Sequence, residues 1–293
     1  MGNSNASSKT ISSLGSLLSK MTSSGKTVAV FVVFALIVIV LIIAFLVYRM
    51  RRSDLTSTQL VKNPRRLYDM GGPFLVDSER LPATLNGQEY SFTMWLYITD
   101  FTSTDNHKLI MMRGTNGPTL NDTSPIVFLD KSTNKMYISI RTNKSPTSIA
   151  SLDAVLDQAT SRFLTGSIEY VPLQRWVNVG FVVQDNLLTL YLNGDIYTVE
   201  NVYDLATNDG VRPVFTGLKG NAIIGAIPNT SSTHGFISRV QFYNYALTPD
   251  DIRAVAMSGP VPGSGVLGAM GIADYGVRSP IYRVGEDGNP MDE

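Results

Sequence analysis

Residues 28–48 read VAVFVVFALIVIVLIIAFLVY, an apolar run with no charge, proline or glycine inside it. At about 1.5 Å of helical rise per residue, the run spans about 31 Å, the thickness of a bilayer's hydrocarbon core. A backbone in lipid must satisfy its own hydrogen bonds, so the run is expected to be a transmembrane helix. It is longer than the apolar core of a cleavable signal peptide. Arg49, Arg51 and Arg52 follow it at once, a stop rather than a cleavage site. Basic residues near a span tend to stay on the cytosolic side. Against Lys20 and Lys26 on the other flank, these three arginines favour a cytosol-facing body. The absence of cysteine agrees with a reducing compartment.

Charge divides the chain. The first 52 residues hold six basic side chains and no acidic one. The remainder holds 18 Lys and Arg against 24 Asp and Glu, a net of −6. Such an acidic body lacks the clustered cations that a nucleic-acid backbone demands, so no nucleic-acid partner is expected. The lipid bilayer is the first expected partner. The tail of residues 1–27 is rich in Ser, Thr, Asn and Gly, a composition that stays flexible. Ile11, Leu14, Leu18 and Met21 recur at helical spacing, the pattern of a short helix on a membrane surface. Gly2 is a lipidation candidate, although Ala6 stands where the strict pattern wants Ser or Thr.

Beyond a juxtamembrane linker and lead-in at 49–84, the period of the body is two. Phe92, Met94, Leu96 and Ile98 alternate with Thr93, Trp95 and Tyr97. Val177, Val179, Phe181 and Val183 form a second such set, and Leu188, Leu190 and Leu192 a third. These read as half-buried strands. Asn193-Gly194 supplies the two positive-φ residues of a tight hairpin turn, with Ile196–Val202 returning. Further strands are expected at Lys108–Arg113, Ile126–Leu129, Lys135–Arg141, Asn221–Gly225 and Gly235–Tyr243. Leu152–Ala159 has helical apolar spacing, with Asp153 and Asp157 outward. Thr248-Pro249-Asp250-Asp251 has the cap, the first-turn proline and the acids of a helix start. That helix is expected to stop at Ser258-Gly259-Pro260. The predicted fold class is all-β, an antiparallel β-sandwich with one N-terminal transmembrane helix.

The segments SFTMWLYITDF, KLIMMRG, QRWVNVGFVVQDNLLTLYLNGDIY and NAIIGAIPNTSSTHGFISRVQFYNYALTPDDIRAV occur in that order. Together they resemble the concanavalin A-like/laminin G-like jelly rolls, over residues 85–258. The most specific pieces are Trp176 ahead of Leu190-Tyr191-Leu192-Asn193-Gly194 and the closing Phe242-Tyr243-Asn244-Tyr245-Ala246-Leu247-Thr248. A single-pass anchor joined to such a domain also resembles architectures of large DNA viruses, where related domains occur among virion and capsid-associated proteins.

The resemblance implies a choice among glycanases, lectins and adhesion modules, because fold alone does not set function. Glycanase members carry a Glu-x-Asp-x-Glu motif on one strand, and no strand here has that spacing. Glu169 stands alone, and Asp195 lies in the hairpin turn. His107 and His234 sit in loop-like contexts and read as surface residues. No thiol, zinc-protease or nucleophile-elbow motif occurs, and Gly263–Gly268 matches a dinucleotide fingerprint without its strand context. No enzyme is expected.

The resemblance also implies calcium as a possible ligand at the sandwich rim, with Asp105 and Asp122 as the candidates, among loop oxygen donors that include Asp100, Asn106 and Asp130. Trp95 and Trp176 fall where this fold buries aromatics, so they read as core rather than as sugar platforms. Sequons occur at Asn5, Asn121, Asn143 and Asn229 and matter only for an exported body. The Gly- and Pro-rich stretch 259–293 reads as flexible, or as an arm that docks on a neighbouring protein. The expected function is non-enzymatic: a membrane-anchored structural protein that presents a sandwich to protein partners, in one version capsid proteins of a virion. The alternative is a lectin-like glycan receptor.

Overall fold

A computed structural model describes residues 32–45, 56–67, 72–84, 88–115, 117, 119–205 and 211–261. The chain divides into two compact units, Met1–Leu55 and Thr56–Glu293. In the first, residues 32–45 form helix α1. Its side chains are apolar and exposed, Val40, Leu41 and Phe45 each by more than half. Among the described residues no helix is long and apolar enough to cross a membrane. The ends of the expected span, 28–31 and 46–48, lie outside the described residues. So do Gly2, the rest of the tail 1–27, Arg49, Arg51 and Arg52.

The second unit is an all-β sandwich of two antiparallel sheets. The first sheet runs in the order β1 (Ser57–Val61), β13 (Gly235–Tyr243), β4 (Tyr90–Ile98), β9 (Trp176–Gln184), β10 (Leu187–Leu192) and β11 (Asp195–Asn201). The two-residue β2 (Arg65–Arg66) also pairs with β13. The second sheet runs β3 (Phe74–Val76), β12 (Asn221–Ile224), β5 (Lys108–Gly114), β6 (Thr123–Leu129), β7 (Met136–Ile140) and β8 (Leu164–Ile168). Asn193 and Gly194 both take positive φ and close the β10–β11 hairpin as their sequence requires.

The core between the sheets is built from alternate residues of each strand. In the first sheet a row of rings crosses three strands. Phe242, Phe92 and Phe181 are register partners on β13, β4 and β9. Phe92 stacks on Phe181 at 5.3 Å between centroids and lies 4.9 Å from Phe242. Tyr90 meets both Phe92 and Phe181 edge-on. Trp95 and Trp176 are buried, as expected from the sequence.

Central strands are buried on both faces, not on one as the alternation suggests. Every residue of β5 and β6 is buried, and β9 is buried except at Gln184. Two outer layers account for this. Over the second sheet, helix α2 (Leu152–Leu156) and its flanks bring Ile149, Leu152, Val155 and Phe163 onto Leu109, Met112, Ile126 and Phe128. Over the first sheet, helix α4 (Pro249–Met257) and the segment before it bring Leu247 and Ile252 onto Val182 and Tyr191. Thr248 and Asp251 form a reciprocal capping box at the start of α4, which stops at Ser258.

Three boundaries differ from the sequence reading. The lead-in expected at 49–84 contains β1, β2 and β3, all hydrogen-bonded into the sheets. These strands are short and carry no clear alternation, so pairing with β13 and β12 defines them rather than their own pattern. The helix expected over Leu152–Ala159 breaks at Asp157, which ends α2 and starts α3 (Gln158–Ser161). The break redirects the chain so that Phe163 joins Leu152 and Val155 in one cluster. The start of the expected C-terminal arm is fastened to the first sheet. Arg239 Nη1 donates to Ser258 O at 2.9 Å, and Ser238 Oγ donates to Pro260 O at 2.6 Å. Residues 262–293 lie outside the described residues.

Replacing Phe92 with alanine removes the middle ring of the row. The expected loss is about 3–5 kcal/mol of stability, read from the urea unfolding midpoint. A loss below about 1 kcal/mol would show that the row is not a central part of the core.

Candidate functional site

At one end of the second sheet, three loops converge around Arg141, the residue that follows β7. Its Nη1 donates to Asp122 Oδ1 at 2.7 Å. Its Nη2 donates to Pro146 O at 2.9 Å and Ser145 O at 3.4 Å. Its carbonyl accepts from Thr216 N at 3.1 Å and Thr216 Oγ1 at 3.3 Å. Its own N–H donates to Ser124 Oγ at 3.1 Å. One side chain and its peptide therefore tie the 122–124, 145–147 and 214–219 segments together. Arg141 is only 6% exposed. A buried guanidinium is tolerated because every contact is charge-assisted or made to a carbonyl.

These loops enclose a cleft of about 220 Å³. Polar residues dominate its lining: Ser124, Thr142, Asn143, Ser145, Thr147 and Thr216. Two cations and one carboxylate line it, Arg141, Lys219 and Asp122. Asp122 is paired on both oxygens, with Arg141 on one and Thr115 Oγ1 donating to the other at 3.2 Å. Lys219 is exposed, and among the described residues it has no carboxylate partner.

Beneath the rim, Arg113 on β5 places the Lys219 loop. Its Nε donates to Gly220 O at 3.0 Å, and its guanidinium lies 5.2 Å from the Phe242 ring. Burial lowers the Arg113 guanidinium to about 10. Gly220 has φ +79, and a Cβ there would run into the backbone of Gly114, so glycine is required.

The two calcium candidates are not brought together. β5 and β6 are antiparallel, with Lys108 opposite Leu129 and Gly114 opposite Thr123. Asp105 precedes β5 and Asp122 precedes β6, so they lie at opposite ends of a seven-residue ladder, about 20 Å apart. Asp105 is exposed in its loop. Asp130 caps its own turn by accepting from Ser132 N and Thr133 N, and Asp100 meets His234 at 3.1 Å. Among the described residues, no group of three or more His, Cys, Asp or Glu side chains is placed to hold a metal.

His107 is not the surface residue its loop context suggests. It is 2% exposed and packs edge-on against Phe128 and Tyr137. Its Nε2 lies 3.3 Å from Asp153 Oδ1 on α2, and its Nδ1 3.7 Å from Asp130 Oδ2. A hydrogen bond from Lys131 holds the Asp153 carboxyl below its ordinary range. His107 thus joins α2 to the sheet beneath it. The sequence signal that was available is Asp153 on the helix that covers the sheet. His234 is exposed, as expected. Glu169 pairs with Lys135 at 2.7 Å and Asp195 with Arg253 at 2.9 Å, both on the surface. Of the sequons, Asn121 accepts from Ile149 N and Asn143 from Val214 N, while Asn229 is exposed. Asn5 lies outside the described residues.

Two antiparallel sheets packed face to face, with loops gathered into a cleft at one rim, define a jelly-roll-like β-sandwich. The chain belongs to the concanavalin A-like lectin/glucanases superfamily, whose family model matches residues 76–253. No curated protein sequence matches it. Among solved structures, it is similar to the binding domain of botulinum neurotoxin serotype D, at 13% identity and a TM-score of 0.49, covering 70% of this chain and 50% of that one. The serotype G binding domain gives 12% identity and a TM-score of 0.47, covering 74% and 50%. The serotype D ligand-binding domain in complex with N-acetylneuraminic acid gives 14% and 0.47, covering 71% and 47%. The chain spans about half the length of these structures, and a likeness this distant bears on neither ligand nor partner.

Asp122→Ala would leave Arg141 without its carboxylate and is expected to cost about 1–3 kcal/mol. Asp105→Ala removes an exposed loop acid and is expected to change stability by less than about 0.5 kcal/mol. Urea midpoints of the two variants test this. Equal, small shifts would show that the cleft does not depend on the Asp122–Arg141 pair.

Proposed function

We propose that the chain is a membrane-tethered binding protein without a catalytic role, its sandwich held at a bilayer and presented to partners. The observation that carries this is the uncharged apolar run 28–48, whose described part is a helix with exposed Val, Leu, Ile and Phe side chains. Such a surface is costly in water and stable in lipid. Arg49, Arg51 and Arg52 support a body on the cytosolic side.

Protein partners suit the exposed edge of the first sheet. β11 is its last strand, and Ile196, Tyr197 and Val199 on it are 41–56% exposed. An edge strand with apolar side chains on view is the usual place for a further protein segment to add. In the structural version of this reading, the sandwich links an internal membrane to a protein shell, with capsid proteins as partners.

Binding is favoured over glycan hydrolysis by the cleft. Hydrolysis of that kind uses two carboxyl groups flanking the bond, about 5–9.5 Å apart. The cleft offers one, Asp122, and Arg141 occupies it. A second reading, lectin-like glycan binding, is favoured by the same cleft, whose lining of Ser, Thr and Asn residues suits a sugar ring.

Membranes from cells that express the full chain should retain it after a carbonate wash. A variant lacking residues 28–48 should leave with the wash and keep the unfolding midpoint of the sandwich. A deletion variant that stays in the pellet would overturn the tether.

A further inference from the structure

We propose that the cleft around Arg141 takes a hydroxylated carboxylate, a single sugar-acid ring, with Lys219 as the residue that selects the acid. This rests on the glycan-binding reading of the cleft and names its ligand class.

Hydrogen-bond donors and acceptors around the cleft set what can bind there. Thr142 Oγ1 and Ser145 Oγ both donate to Arg162 O, at 2.8 and 2.9 Å. Thr216 Oγ1 donates to Arg141 O at 3.3 Å. Each of these hydroxyls has spent its one proton inside the protein. Thr142 is fully buried and its Oγ1 also accepts from Lys144 N, and Ser145 Oγ accepts from Thr142 N at 3.1 Å. The lone pairs left toward the cleft are those of Ser145 and Thr216, and their partners must be donors, which ligand hydroxyls are. The opposite requirement comes from two other groups. Asn143 Oδ1 accepts from Val214 N at 3.1 Å, which leaves its Nδ2 protons for a ligand acceptor. Lys219 brings three donors and a positive charge that no carboxylate of the described residues meets.

Charge gives the same answer. Asp122 cancels Arg141, so the lining keeps one net positive charge at Lys219. A simple anion such as sulfate meets Lys219 but brings no donors for Ser145 and Thr216. A neutral sugar meets the hydroxyls and leaves Lys219 without an anion. One molecule with several hydroxyls and a carboxylate satisfies both. The volume, about 220 Å³, is below the about 300–1,000 Å³ of sites for larger ligands, so one ring is the natural occupant. Among the lining residues there is no aromatic ring, so hydrogen bonds and charge must carry the recognition.

The test uses the full chain in detergent micelles, titrated with glucuronate, glucose and sodium sulfate by calorimetry and NMR. Glucuronate is expected to bind at least tenfold more tightly than glucose or sulfate and to shift the Thr147 and Asn143 signals. Lys219→Gln should bring glucuronate down to the glucose level and leave the unfolding midpoint unchanged. Equal binding of glucuronate and glucose, unaffected by Lys219→Gln, would overturn the acid preference and leave the glycan reading standing. Sulfate binding as tight as glucuronate would overturn the sugar and leave an anion site. No binding of any of the three at the cleft would overturn the glycan reading itself. A glucuronate-terminated disaccharide that binds as well as the free acid would mark a glycan end as the source. Binding of the free acid alone would mark a small metabolite.

Discussion

Burial of the central strands on both faces is the constraint on which the rest of the sandwich depends. Every residue of β5 and β6 is inside, and almost every residue of β9. A sheet in that position needs three layers of apolar contact: one between the sheets and one outside each. The Phe242–Phe92–Phe181 row fills the first. Helices α2 and α4 supply the other two, which is why a fold made of strands keeps them. The outer layers also set loop positions. Gly194 at the β10–β11 turn sits where a Cβ would lie 3.1 Å from Ala256 and 3.2 Å from Arg253, so hairpin and helix fix one another.

With the layers fixed, polar groups are left to the rim. There the limiting cost is the burial of charge, and Arg141 and Arg113 meet it in different ways. Arg141 is satisfied by a carboxylate and two carbonyls, and three loops become one surface as a result. Arg113 has one carbonyl and a ring face, and burial lowers its guanidinium to about 10. The cleft is therefore rigid where it meets the sheet and open at Lys219. Preorganisation of this kind lowers the ordering cost of binding.

Much of the sandwich was legible in the chain. The strand Gly235–Tyr243, the Asn193-Gly194 hairpin and the Thr248 cap each carry a local signal strong enough to stand alone. The strands β1 to β3 carry none, because backbone pairing to distant partners defines them. Burial on both faces was hidden for a related reason: Thr93 and Asn178 alternate with apolar residues as outward polar positions do, yet both are fully buried. The cleft was barely visible. Asp122 stood out as a loop acid, but its partner Arg141 is 19 residues away, and the direction of the Thr142 and Ser145 protons depends on Arg162 O. His107 reads as a loop residue because Asp153, which meets it, is 46 positions later in the chain.

The central claim is that an apolar segment holds this sandwich at a membrane, with the body on the cytosolic side. Protease digestion of sealed vesicles that carry the full chain, with mass spectrometry of what survives, tests it most directly. With protease on the cytosolic face, the expected result is one protected fragment that contains residues 28–48, a digested body, and Asn121 and Asn229 without glycan. A protected body with glycan at Asn229, or no protected fragment around 28–48, would contradict it.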